Sequence, residues 1–258
     1  MKRRYLWLLV LPLLAVFVFS AWKLTSEALA PKREAAVFAS LAAVAETAAP
    51  EPIETQPASE QNVAPAPTEA VHKRNIAALT AENADCIGWL SIEGTSVNYP
   101  VMYTPNEPQK YLRLDFNGEY SHSGVPFLDG RCTPDGQSLI IYGHNMKDDS
   151  MFSSLCSYVD PAYFTEHPFL EFETEAGCLR YLICGVALVE PTDEWYDSPV
   201  ADETTLAELV WHLEEKELYN TQLSPLKGRQ LLTLSTCYYA ADGDKCLLLI
   251  ATEFGEAY

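Results

Sequence analysis

Positive charge is scarce in this chain, and the scarcity is uneven. Seventeen Lys and Arg stand against thirty-six Asp and Glu, a formal net charge of −19. Residues 1–34 hold six of the basic residues and two of the acidic ones, so the eleven basic and thirty-four acidic residues beyond carry a net of −23. A surface of that sign repels phosphates, which excludes nucleic acid as a partner. The seven cysteines include no C-x-x-C pair and no Cys/His cluster at zinc-finger spacing, so no structural metal site is expected. There is also no Gly-rich phosphate loop, no G-x-S-x-G elbow and no H-E-x-x-H helix, which removes the chemistries those motifs serve. Acidic pairs such as Asp148-Asp149 and Asp193-Glu194 read as solvated loops rather than cation sites.

What is present starts with an export signature. Lys2, Arg3 and Arg4 precede an apolar, uncharged run over 5–22, interrupted only by Ser20, as in a membrane helix that begins in the cytoplasm. Ala28-Leu29-Ala30 offers the competing reading of a cleaved signal peptide. The anchor is preferred, because the run exceeds a usual signal core and Pro31 would directly follow the cut. Three segments result: 1–30 as cytoplasmic flank and anchor, 31–70 as an Ala/Pro/Glu-rich disordered spacer, and 71–258 as one folded domain.

Within that domain, helices are expected over 71–83, 150–158 and 202–218, the last with an acidic outer face. Strands are expected at 87–92, 97–102, 126–128, 138–142, 169–172 and 179–189, with two more flanking a loop over 238–245. Regular βα alternation is missing, so the pattern is mainly β with inserted helices, closing as a barrel of about eight strands. Two strand ends carry the candidate chemistry. Cys237 follows Leu234-Ser-Thr at the end of one apolar run, and His144 follows Ser138-Leu-Ile-Ile-Tyr142-Gly at the end of another. A thiol nucleophile needs such a partner to move protons. Each residue alone has a blander explanation, a buried thiol or a loop histidine; a barrel delivers both to one rim. Thr236 either aims its hydroxyl at that rim or satisfies a strand edge.

Taken together, the motifs resemble those of the sortases, membrane-anchored cysteine transpeptidases of Gram-positive cell walls, and within them class B. The resemblance rests on Gly88-Trp-Leu-Ser-Ile-Glu-Gly-Thr95 with Tyr99-Pro-Val101, Lys110-Tyr-Leu-Arg-Leu-Asp-Phe116 with Phe127-Leu-Asp129, Tyr142-Gly-His-Asn-Met146 with Ser150-Met-Phe152, and Leu234-Ser-Thr-Cys237. It implies a sortase-type barrel that needs no cofactor or metal. It also implies that Cys237 cleaves a sorting motif of Asn-Pro-x-Thr-x type after Thr as a thioester. His144 would serve the leaving and incoming amines, and Leu112, Thr192, Tyr196 and Ser235, with Thr236, would line the substrate groove. The implied partners are sorting-signal-bearing surface proteins or pilins, with a peptidoglycan precursor or pilin amine as acceptor. The family's third catalytic residue is an arginine opening the last strand, a place that the sequence assigns to Lys245. Lysine lacks the planar fork of arginine. That departure motivates an alternative, a weakened sortase-fold protein that binds sorting peptides or assists pilus assembly.

Overall fold

The computed structural model describes residues 2–47, 73–240 and 243–256. Helix α1 spans Lys2–Thr47 and α2 spans Ile76–Glu82, capped by Asn75, whose side chain accepts from Ala78 N. Eight strands follow: β1 Cys86–Ser91, β2 Asn98–Met102, β3 Phe127–Leu128, β4 Ser138–Tyr142, β5 Phe169–Thr174, β6 Gly177–Val189, β7 Leu231–Ala240 and β8 Gly243–Glu256. Helix α3 (Pro161–Glu166) precedes β5, and α4 (Glu203–Glu214) lies between β6 and β7. The strands close in the order β1-β2-β3-β4-β7-β8-β6-β5, with parallel pairing only at β2/β3 and β4/β7. This is the expected barrel with inserted helices.

Alternation along the strands separates two apolar layers. Leu139, Ile141, Leu232, Leu234, Leu247 and Leu249 fill the barrel interior. Their neighbours Ile140, Leu231, Leu248 and Ile250 face outward and are covered by Trp195, Leu206, Leu209 and Leu213, so α4 is the amphipathic helix its spacing predicts. Trp195 belongs to a 3₁₀ turn, Glu194–Val200, initiated by the Asp193 side chain.

Two expectations change. Residues 31–47 are not spacer but the continuation of α1, whose Phe38, Leu41 and Ala45 are buried on the barrel and α2. Phe38 meets Tyr99 edge-on at 5.1 Å, and Asn75 N donates to Ala45 O at 2.9 Å. Their helical spacing carried the signal, hidden under an Ala-rich composition. The rest of the expected spacer, 48–70, lies outside the described residues. Earlier in α1, Leu13 to Leu24 expose large apolar side chains, and the helix is long and apolar enough to cross a membrane.

The second change concerns the last hairpin. Residues 238–240 and 243–245 pair as strand rather than forming a loop. Cys237 therefore lies within β7, held by ladder on both sides, and not at its end.

Candidate active site

β4 and β7 run parallel, with Tyr142 beside Ser235. Gly143 N donates to Ser235 O at 3.1 Å, and there the two strands part: the chain after β4 turns away to His144, while β7 runs on to Cys237 paired with β8. A Cβ on Gly143 would stand 2.6 Å from the Phe152 ring; the close passage of this loop over Phe152 needs glycine. Asn145 then ties the two chains, its Nδ2 donating to Cys237 O at 3.0 Å. His144 and Cys237 line one open cavity of about 560 Å³ on the outer face of the barrel.

The state of His144 follows from its partner. Nε2 lies 3.0 Å from Leu112 O. A carbonyl only accepts, so Nε2–H is the donor and Nδ1 keeps its lone pair in the neutral ring. Gly124, at φ +61, makes the approach to this segment possible, because a Cβ there would fall 2.4 Å from Tyr111 O. Burial lowers the pKa of His144, as do Arg113 and His122, against the Leu112 bond. Desolvation raises that of Cys237, helped by Cys246 and Asp244. Both groups are therefore neutral at pH 7, a thiol and an imidazole lining one cavity.

Of the expected wall residues, Leu112, Tyr196, Ser235 and Thr236 line the cavity and Thr192 does not. Thr192 is exposed on the turn before the 3₁₀ segment, where Pro191 takes the wall position instead. Tyr196 stacks on Tyr142 with ring centres 6.2 Å apart and shares a 3.0 Å hydrogen bond with Ser235 Oγ. Thr236 Oγ1 is buried with no hydrogen-bond partner among the described residues.

Lys245 also departs from expectation. It is opposed to Tyr238, whereas Cys237 is opposed to Cys246. Opposed residues of an antiparallel pair share a face, and Tyr238 packs toward the barrel interior. Lys245 thus belongs to the inner face and is absent from the cavity wall, while Cys246 lines it. The first basic residue of β8 therefore stands one position before the residue opposed to Cys237.

Arg131 is the only arginine or lysine among the described residues lining the cavity. Its guanidinium meets Asp129 at 2.9 and 3.1 Å and Asp197 at 3.2 Å, and donates to Tyr196 O at 2.5 Å. Tyr142 donates to the same Asp129 at 2.8 Å. Burial alone would raise the Asp129 pKa; these donors pull it below the usual range. Asp129 and Arg131 thereby brace the two tyrosines of the wall. Arg113, the other arginine nearby, donates to His122 O at 2.5 Å and is absent from the cavity lining. Among the described residues, no group of His, Cys, Asp or Glu is arranged to hold a metal ion.

A closed eight-stranded barrel that brings a cysteine of β7 and a histidine just beyond β4 to one cavity is the arrangement expected of a sortase-type transpeptidase. No family model matches the chain. It is 29% identical to a Sortase B of Listeria monocytogenes over 246 residues, covering 94% of this chain and 93% of that protein. With a Sortase B of Staphylococcus aureus it shares 27% over 157 residues, or 60% of this chain and 64% of that one. A solved Bacillus anthracis protein similar to sortase B matches with TM-score 0.69 and 26% identity over 88% of this chain and 98% of that one. The Staphylococcus aureus sortase B–substrate complex matches in fold with TM-score 0.64 and 24% identity, over 70% of this chain and 85% of that one. In sequence and in fold the chain is similar to class B sortases.

Proposed function

We propose that this chain acts as a class B sortase, which cleaves a sorting motif of Asn-Pro-x-Thr-x type after Thr, holds the protein as a Cys237 thioester and passes it to an amine of the cell wall or a pilin. The carrying observation is the convergence of Cys237 and His144 on one cavity. Reaction starts from the neutral pair: as the thiol sulfur attacks the threonyl carbonyl, its proton passes to His144. The imidazolium then protonates the departing amine, and the neutral ring later accepts a proton from the incoming amine. The Leu112 bond keeps Nε2–H engaged, so Nδ1 carries the transferred proton. Tyr196, Leu112, Ser235 and Thr236 form the groove for the motif. The segment over 5–22 anchors the enzyme as a single pass, with its N-terminus in the cytoplasm and the barrel outside.

The test uses the full chain in detergent with candidate sorting peptides. A thioester on Cys237 seen by intact mass, absent in Cys237→Ala, supports the reading; its absence with every peptide tried overturns it. His144→Ala should reduce transfer about 10²–10⁴-fold at an unchanged melting temperature. The second reading, a weakened enzyme, is favoured by one observation: the β8 residue opposed to Cys237 is a thiol and not a cation.

A further inference from the structure

Cys246 occupies an unusual place for a thiol. It opposes Cys237 across the last hairpin, and the ladder from Leu231↔Thr252 to Ala240↔Gly243 runs without a register shift. One residue before this ladder, Glu253 N donates to Gln230 O at 2.9 Å, which makes that opposed pair a hydrogen-bonded one. Hydrogen-bonded and non-hydrogen-bonded pairs alternate along an antiparallel ladder. Counting from Gln230 therefore puts Cys237↔Cys246 in a non-hydrogen-bonded pair. There the Cα atoms approach to about 4.5 Å and the side chains lean together, inside the roughly 4.4–6.8 Å range that a disulfide spans. Both side chains stand on the outer face and line the same open cavity, and neither is bridged.

We propose that Cys237 and Cys246 form a redox modification site, a cross-strand dithiol that a hydroperoxide closes into a disulfide and a small thiol reopens. The Cys237 thiolate attacks a peroxide oxygen; an S–O bond forms, the O–O bond breaks, and the released hydroxide takes up a proton. Cys246 then attacks the sulfenic sulfur, forming S–S as the S–O bond breaks and a second water leaves. Two thiols lose two electrons and two protons, and hydrogen peroxide becomes two waters. Two equivalents of thiol reverse the change by exchange. Cys246 acts as the resolving residue that stops oxidation short of the irreversible sulfinic acid. That closure silences the enzyme rests on Cys237 being the nucleophile; the bond itself does not.

Other thiols compete poorly. Cys86, Cys132, Cys178 and Cys184 are buried. Cys156 lies near through Asn145 Nδ2, at 3.2 Å, but sits on a 3₁₀ turn, Ser153–Val159, rather than across the ladder.

The experiment treats the full chain in detergent with stoichiometric hydrogen peroxide, caps free thiols with N-ethylmaleimide and maps tryptic peptides by mass spectrometry. Cleavage after Lys245 places the two cysteines on separate peptides, so a disulfide is read as a linked pair that dithiothreitol dissolves. The linked pair is expected in the wild type and in Cys156→Ser. In Cys246→Ser it should be lost, with Cys237 trapped by dimedone as sulfenic acid and little Cys237 recovered by dithiothreitol after longer exposure. Peroxide-treated wild type in which Cys246 remains alkylatable, or in which Cys237 links to Cys156, would overturn the proposal. No sorting peptide enters this readout, so its failure is distinguishable from failure of the thioester reading.

Discussion

Leu232, Leu234, Leu247 and Leu249 point into the barrel and are fully buried, while Ser235, Cys237 and Cys246, their neighbours on the same two strands, line an open cavity on the outer face. The backbone is shared, so the difference is mainly one of face; Thr236, opposed to Leu247 on the inner face, reaches the cavity only at its edge. Inward residues are locked by close packing, which leaves no room for a substrate but fixes the strand positions. Toward the barrel end the cover that α4 and the Glu194–Val200 turn give to Leu231, Leu248 and Ile250 thins out: Ser235 is still buried beside Tyr196, Cys246 is half-buried and Cys237 is exposed. The rigid side positions what the open side presents. Conversion of one face to the other would cost both properties.

The largest expected effect comes from breaking the inner face. Leu234→Ala should cost about 2–5 kcal/mol of stability, as a fully buried leucine leaves a cavity, whereas Ser235→Ala next to it should cost about 0.5–1.5 kcal/mol by losing the Tyr196 hydrogen bond. Denaturant titration of the two variants checks the contrast; equal losses would mean that the faces are not distinct in this way.

A smaller effect sharpens which face Lys245 belongs to. Lys245→Arg should leave transfer near wild type, while Cys246→Arg, which sets a guanidinium on the face of Cys237, should raise it by about tenfold or more if one charged hydrogen bond is gained. Rates with one sorting peptide decide between them, and a gain from Lys245→Arg instead would show the register argument to be wrong.

The mildest probe is pH. The Cys237 pKa is raised above its ordinary 9.0 and that of His144 lowered below 6.5. Alkylation of Cys237 by iodoacetamide should therefore increase with pH to a midpoint above 9.0, because only the thiolate reacts. Transfer needs the thiol and the neutral imidazole together, one proton shared between them. It should fall below the His144 pKa, where the thiol is not activated, and above that of Cys237, where the proton donor is gone. An alkylation midpoint on the acid side of neutrality would replace the neutral pair by a preformed ion pair.

Much of the strand plan was legible, since runs such as 138–142 and 179–189 are short, apolar and bounded by turn residues, and the structure has strands at those places. His144 and Cys237 stood out because their motifs combine in one spaced set. The brace of Asp129 and Arg131 was not legible, although Phe127-Leu-Asp129 was part of that set, because nothing local says that Tyr196, distant in sequence, will lie against it. The face that Lys245 takes has the same origin. Register in a hairpin is decided by the turn and by cross-strand packing, and a slip of one residue exchanges the faces.

The order of residues by itself determined the periodicities, hence the strands, the acidic helix, the long apolar N-terminal helix and the identity of the two reactive side chains. Those depend on neighbours in the chain. Only the tertiary structure decided that β4 and β7 lie side by side, that Leu112 O fixes the imidazole tautomer, and that Cys246 rather than Lys245 faces Cys237. These are contacts between distant segments, settled when the barrel closes and each strand must choose which face to bury.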